Sequence, residues 1–536
     1  MNKTKLIWAA VLLFTASCAN EDVSKETESG SQNNQVLTTF TSGDEPATRT
    51  SMDHEMGSKG KFFWTTGDKI WIDNGTTPLP ASTSSSITGK TDYAKFYVSG
   101  TFPNNSYPVY YTGSNGTSGK EVTIAANQTQ SSPNNTDHFA TSGDCGTATA
   151  TGNGSEFAFK LKHQAAYLCL LPRSSSAYIH RSKLTKIEIV SEDDIAGTYT
   201  IATNGSLTLA SGGSKTITLT TGSGWDVDNT VTDQSKNAAY VVVAPGIHAM
   251  RIRYWFANTV DGGHYNYYTG LVETTTGTVT KYLTINCEAG KIHDITSNLE
   301  IKDYSNYHDK YYMWDAKQNY WWQHEWNAAN PSDPNIWQPI TETPAGGNPN
   351  YPKSTAADPD RYYNEFYPGS GMQIDATNSC TICPNVNEML WYAQRGNPNW
   401  DNELWTLMGH LYSGGTWFKK KAIIAAENST TTTAMANAAP DGTDYRSTDI
   451  VHFGRQSKIL PRISELSNYF YRPALGEYLS GKFINAGQSG EYWSSNGSPS
   501  VVGRYYAYFM SFTERDMSVF AANCQRNYGF QVQAFE

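Results

Sequence analysis

Between residues 60 and 300 the chain repeats one pattern. Short apolar runs, rich in β-branched and aromatic residues, are bounded by Gly, Asn, Asp, Ser or Pro. Examples are "AKFYVSG", "SYPVYYTG", "EFAFKLKHQAAYLCLLP", "LTKIEIVS", "GTYTIAT", "SKTITLTT", "AAYVVVAPG" and "MRIRYWFA". Runs of this length and composition favour strands, and the residues between them favour turns. Phe62–Trp64 and Ile70–Ile72, separated by "TTGD", open the series. About ten such segments predict two β-sandwich domains.

After "EAGKIHDITSNLEI" the pattern changes, and Tyr304 to Trp337 is crowded with Tyr and Trp. Most of these rings must be core, because large aromatics are buried first. In "CPNVNEMLWYAQRG", Val386, Met389, Leu390 and Ala393 fall on one helical face. Asn385 and Glu388 make a capping-box pair, and Gly396 supplies a stop. The end, "YYAYFMSFTERDMSVFAANCQRNYGFQVQAFE", alternates like two or three strands. The expected fold is therefore mainly β, with a third, α+β region at the C-terminal end.

The length of 536 residues exceeds one hydrophobic core, so two to four domains are expected. The net charge of −10 disfavours nucleic acid as a partner. Residues 19–47 are polar and read as a flexible tether. Before them, Lys3 and Lys5 precede an apolar run, Leu6 to Phe14, and then small residues. That is a secretory signal peptide over 1–17, too short to span a membrane. Leu13 ahead of Cys18 makes a loose bacterial lipobox, so Cys18 is the expected lipidation site. A plain signal peptide with a chance Cys is the alternative. Asn20, Glu21 and Asp22 follow, which resembles the acidic export signal of surface lipoproteins in the Bacteroidota. The expected location is the outer membrane, facing outward.

Signals for catalysis are weak. Cys380 and Cys383 form a C-x-x-C without a second pair, so free thiols or a local disulfide are expected rather than zinc. His163 has no ligand or acid at metal spacing and reads as structural. Glu403, Asp441, Asp444 and Asp449 are spread along the chain and form no compact oxygen-ligand loop. "GQSGE" only approaches the G-x-S-x-G of a nucleophile elbow. No catalytic residue, metal or cofactor is expected.

Two resemblances add to this. "TRTSMD", "FFWTTGDKIWI", "FAFKLKHQAAYL" and "YVVVAPG", in that order, resemble the fimbrillin family of Bacteroidales pilus proteins over about 48–300. The resemblance implies two transthyretin-like β-sandwiches, over 50–165 and 166–303. It also implies that Arg49 is where an Arg-specific protease cuts, with Thr50 as the new N-terminus and 18–49 as lipidated tether and propeptide. The alternative is a chance Arg in a loop. Residues 304–536 resemble the major paralogous domain family first described in Fibrobacter, which has a C-type-lectin-like fold. The matching residues are "CPNVNEMLWYA", "RPALGEY", "GEYWSS" and "RNYGFQV". Gln533 stands where that family often has a Cys, and the calcium-ligand tripeptides of sugar-binding lectins are missing from the sequence.

Together these imply a pilus tip subunit acting as an adhesin, with a stalk subunit as strand donor and a host or microbial glycan or protein as ligand. Trp400, Trp405, His410 and Trp417 are the candidate binding residues, offering stacking surface and hydrogen bonds. The polar stretch 425–450 beside them reads as the longest irregular loop. A non-polymerising surface lipoprotein that binds glycans while anchored is the main alternative. An enzyme on a lectin-like scaffold is a weaker one.

Overall fold

A computed structural model describes residues 36–43, 51–114, 116–261, 264–265, 272–342, 347–500, 505–521 and 525–536. The signal peptide, Cys18, Arg49 and Thr50 lie outside the described residues. The molecule is mainly β, built from several sheets.

The first is an eight-stranded sheet. Its order is Trp71–Ile72, Ser106–Tyr111, Gly146–Gly152, Glu156–Phe159, Leu37–Ser42, Lys95–Ser99 and Ser82–Ser85, with Lys162–His163 beside Gly146–Gly152. Alternate side chains on these strands point one way and build a core of Phe40, Phe96, Val98, Val109, Phe157 and Phe159. The tether reading thus needs correction at Leu37–Ser42, which is an inner strand. "LTTFTS" buries one large apolar residue, Phe40, and becomes a strand because partners on both sides supply the hydrogen bonds.

A three-stranded sheet of Ala239–Val243, Ala166–Arg173 and Ile292–Asn298 shares a second core with a nine-stranded one. The larger sheet runs Tyr469–Pro473, His410–Lys419, Asn399–Leu407, Thr275–Cys287, Gly246–Asn258, Ser182–Ser191, Thr216–Trp225 and Asn127–Thr129, with Lys302–Asp303 beside Asn399–Leu407. Two strands from the stretch before 165 belong to this part of the fold. Glu121–Ile124 pairs with Ala196–Ile201, and Asn127–Thr129 with Thr216–Trp225. The hairpin Asn399–Leu407/His410–Lys419 carries the large sheet into the third region. Thr278 pairs with Glu403, Leu404 and Leu411 enter the second core, and the Tyr178 hydroxyl donates to the Gly409 carbonyl (2.6 Å).

The third region has a six-stranded sheet ordered Tyr311–Tyr312, Phe530–Gln531, Ser489–Gly497, Ala507–Thr513, Asp516–Phe520 and Val451–Arg455. The expected helix spans Val386–Arg395, with both halves of the Asn385–Glu388 capping box formed. It buries Val386, Met389, Leu390 and Ala393, the predicted face. Tyr492 and Trp493 are buried scaffold, as are Trp314 and Trp321 of the aromatic stretch. The 425–450 stretch is not wholly irregular. Thr432–Asn437 is a short helix capped by Thr431 and anchored by buried Met435, because a cap and one apolar residue suffice for a single turn docked on a core.

Candidate functional site

Two places gather the residues singled out by sequence. The first is the slot held by Leu37–Ser42. This strand runs antiparallel to Lys95–Ser99 and parallel to Glu156–Phe159, so its backbone is bonded on both sides. Thr38, Phe40 and Ser42 face inward. The Phe40 ring stacks on Phe157 at 4.9 Å and meets Phe102 edge-on at 5.2 Å. Ser42 Oγ accepts the Trp64 indole N–H (2.9 Å) and the Ala94 N–H (3.2 Å). The strand is therefore an integral part of the first core.

The second place is a pocket of about 230 Å³ where the hairpin 399–419 meets the strand Thr275–Cys287. Tyr282, Tyr304, Tyr471, Trp417, Asp401 and Glu403 line it. Buried Asp401 accepts from Arg253 Nη2 (2.7 Å) and from the Trp417 indole N–H (3.0 Å), and Arg253 also reaches Glu188 (3.1 Å). Glu403 accepts from Thr278 Oγ1 (3.0 Å), Thr280 N (3.0 Å) and Thr280 Oγ1 (2.7 Å). Burial, and then the neighbouring Asp401 charge, push its carboxyl up to about 7 against these bonds. Among the described residues the buried Tyr471 hydroxyl has no hydrogen-bond partner. Tyr471 and Trp417 sit 5.3 Å apart, tilted.

Of the four predicted binding residues, Trp405 and Trp417 line this pocket, and Trp400 and His410 do not. Trp400 is 5 % exposed and belongs to the core under the helix Val386–Arg395, with its N–H on Asn402 (2.6 Å). Trp405 is 1 % exposed, stacks on Tyr412 at 5.0 Å and donates to the Gly414 carbonyl (2.9 Å). Neither offers a free face, which corrects their reading as platforms: a strand inside a nine-stranded sheet buries both of its faces. His410 is half-buried beside the Met408–Gly409 turn, where both residues have positive φ, and burial holds its imidazole below its ordinary range. Trp417 alone combines partial exposure with a place in the pocket. Sequence reasoning missed Tyr304, Tyr471 and Arg253 at this place. The available signal was Asp401 and Glu403, two apart on a strand and flanked by Trp400 and Trp405.

The other candidates have separate partners. His163 is buried, with Nδ1 at 2.6 Å from Asp144 Oδ1 and the Tyr167 hydroxyl also on that oxygen. Cys380 and Cys383 are free, buried thiols. Asp444 pairs with Arg446, Asp441 takes the Tyr445 hydroxyl, and Asp449 takes Ser498. Among the described residues no helix is long and apolar enough to cross a membrane.

No protein-family model and no curated protein matches the chain. The solved structures it resembles include two Bacteroides proteins described as "putative cell adhesion protein" and a fimbrial protein. One, from Bacteroides ovatus ATCC 8483, has 14% identity and TM-score 0.30 over 50% of this chain and 94% of that one. The other, from Bacteroides fragilis NCTC 9343, has 12% identity and TM-score 0.27 over 50% and 94%. A fimbrial protein from Bacteroides ovatus ATCC 8483 aligns over 93% of this chain and 98% of its own, at 10% identity and TM-score 0.21. All three likenesses are too loose to assign a fold family or a function to this chain.

Proposed function

We propose that the chain is a cell-surface fimbrial adhesin, a binding protein rather than an enzyme. In this reading it is exported as a lipoprotein on Cys18, cleaved after Arg49 and assembled by strand exchange. Two transthyretin-like β-sandwiches then carry a C-type-lectin-like domain outward. The observation that carries the reading is the place of Leu37–Ser42. A cut between Arg49 and Thr50 falls in the chain between this strand and the hairpin beginning at Ser51. Loss of the strand would leave unpaired N–H and C=O groups on Glu156–Phe159 and Lys95–Ser99, above a row of Phe96, Phe102 and Phe157. A strand from a neighbouring subunit, apolar at alternate positions, fits such a slot.

Phe530–Gln531 is a poor strand to donate in return. It lies between two neighbours in its sheet, with Phe530 and Val532 buried. A subunit that accepts a strand and keeps its own suits a tip. Purified fimbriae should therefore contain a chain starting at Thr50, and Arg49→Ala should leave a lipidated form held in the outer membrane. If wild-type cells carry only the Cys18-lipidated chain, the anchored, non-polymerising alternative takes its place.

The ligand in this reading is a host or microbial glycan or protein, met at the Trp417 pocket. Sugar rings stack on indole and tyrosine faces, and Trp417 presents part of its ring at the pocket. On a glycan array hit, Trp417→Ala should weaken binding by about fivefold, on the order of 1 kcal/mol, with cooperative folding retained. Trp405→Ala should instead lower the melting temperature. Equal binding by wild type and Trp417→Ala would move the ligand site elsewhere.

A further inference from the structure

We propose that His54, Cys169 and Asp294 bind a divalent cation of the zinc class, which fastens the hairpin Ser51–Asp53/Lys61–Phe63 to the sheet of the second sandwich. One ligand atom from each residue lies within 4.8 Å of the other two. Cys169 and Asp294 are register partners on the parallel strands Ala166–Arg173 and Ile292–Asn298, so their side chains leave the sheet side by side. His54 follows the hairpin's first strand and comes over them. The site therefore joins three segments far apart in sequence, which is why spacing alone gives no metal pattern.

The hydrogen-bond network around His54 suits a ligating imidazole. The Tyr240 hydroxyl donates to Asn134 Oδ1 (3.0 Å) and accepts from Gln234 Nε2 (2.9 Å). The same hydroxyl lies 3.2 Å from His54 Nδ1. With the ring proton on Nδ1, donated to Tyr240, Nε2 keeps a lone pair for a metal. Nε2 is buried, makes no hydrogen bond, and lies 3.5 Å from Asp294 Oδ1. Nε2 and Asp294 Oδ1 thus converge beside the Cys169 thiol, an arrangement that a cation can bridge. Asp294 is anchored in turn by the Gly57 N–H on its Oδ2 (2.7 Å). Tyr240 on Nδ1 is the outer partner that orients a ligating histidine.

A Cys-His-Asp nucleophile system fits less well. It needs the two ring nitrogens on the acid and the thiol respectively, whereas Nδ1 is taken by Tyr240 and Cys169 is 0 % exposed. Tetrahedral zinc at bond lengths of about 2.0–2.3 Å places its ligand atoms roughly 3.3–3.8 Å apart, so a closure of about 1 Å completes the set. On binding, the Cys169 S–H bond breaks, its proton passes to solvent, and the sulfur lone pair bonds the metal. No electron is transferred. Water supplies a fourth ligand. The ion arrives from the Asp294 side, where that carboxylate is 20 % exposed.

The test uses the full chain with zinc or cobalt(II) as probe. Wild type should take up one zinc per chain, and cobalt should give a near-ultraviolet thiolate charge-transfer band. Zinc should slow amide exchange over residues 51–63. Asp294→Asn should weaken binding roughly tenfold or more, and His54→Gln should abolish it, with unchanged circular dichroism of the metal-free chains. Cobalt binding by wild type without the thiolate band, zinc uptake that survives both substitutions, or no saturable binding at micromolar zinc would each overturn the site.

Discussion

A chain beginning at Thr50 is expected to lose cooperative folding of its first sandwich and to regain it when a peptide spanning residues 36–43 is added. Among the described residues Leu37–Ser42 is the only link in the sheet order between Glu156–Phe159 and the pair Lys95–Ser99/Ser82–Ser85. Without it the sheet divides, and both new edges expose unsatisfied backbone. The fully buried Phe40 ring leaves a hole at the same time. Emptying a buried Phe position costs about 3–5 kcal/mol before any backbone bond is counted, which lowers the melting temperature by roughly 10 °C or more. The peptide "VLTTFTSG" should restore the transition saturably, and the same peptide with Phe40→Asp should not. Thr39→Ala, on the outward row, should leave rescue intact, since Thr39 is only partly buried. Calorimetry with peptide titration reads all of these. A Thr50-initiated monomer as stable as the longer chain, and indifferent to peptide, would sink the strand-exchange reading.

The parts legible in the sequence were those fixed by local rules. The helix at 386–395 was readable because a 3.6-residue apolar repeat and a capping box coincide there. Short apolar runs gave strands for the same reason, and "TTGD" gave a turn closed by Asp68 N–H on the Thr65 carbonyl. What stayed hidden depends on which segments meet. Nothing in "LTTFTS" says that two partners await it. Nothing in "NWDNELWTL" says that it extends a sheet begun more than a hundred residues earlier. Exposure of an indole is likewise not written in its spacing. Trp400 and Trp405 satisfy their N–H groups locally, on Asn402 and Gly414, and so disappear into cores without needing a distant polar partner. Trp417 bonds Asp401 across the hairpin and keeps part of its ring outside. The acid beside His163 was also invisible, because Asp144 reaches it from a separate segment.

Stability of the third region is expected to fall as pH rises from 5 to 8, and Glu477→Gln should remove part of that fall. Burial pushes Glu477 up to about 7 and Glu342 up to about 8. Burial, and then the charge of Glu477, push Glu491 well above the carboxylate range. Few compensating bonds are present. Glu477 takes one from Asn485 Nδ2 (3.0 Å), Glu342 one from the Ala486 N–H (2.6 Å), and Glu491 one from Ser511 Oγ (2.9 Å). One oxygen each of Glu342 and Glu491 is buried with no hydrogen-bond partner. The sign follows from linkage. A carboxyl whose folded pKa lies above its unfolded value near 4.5 binds its proton more tightly in the folded state. Its contribution is complete below that unfolded value and is lost as pH climbs through about 7 to 8. Glutamine keeps the shape and the oxygen that meets Asn485 but cannot ionise. The variant should match wild type at pH 5 and exceed it at pH 8 by on the order of 2 kcal/mol, after discounting for partial exposure. Because Glu491 feels Glu477, the double variant with Glu491→Gln should gain less than the sum of the two. Melting temperatures at the two pH values give the answer directly. A Glu477→Gln difference of the same size and sign at pH 5 and pH 8 would mean that the carboxyl is ionised throughout, held by a cation or a bond other than Asn485.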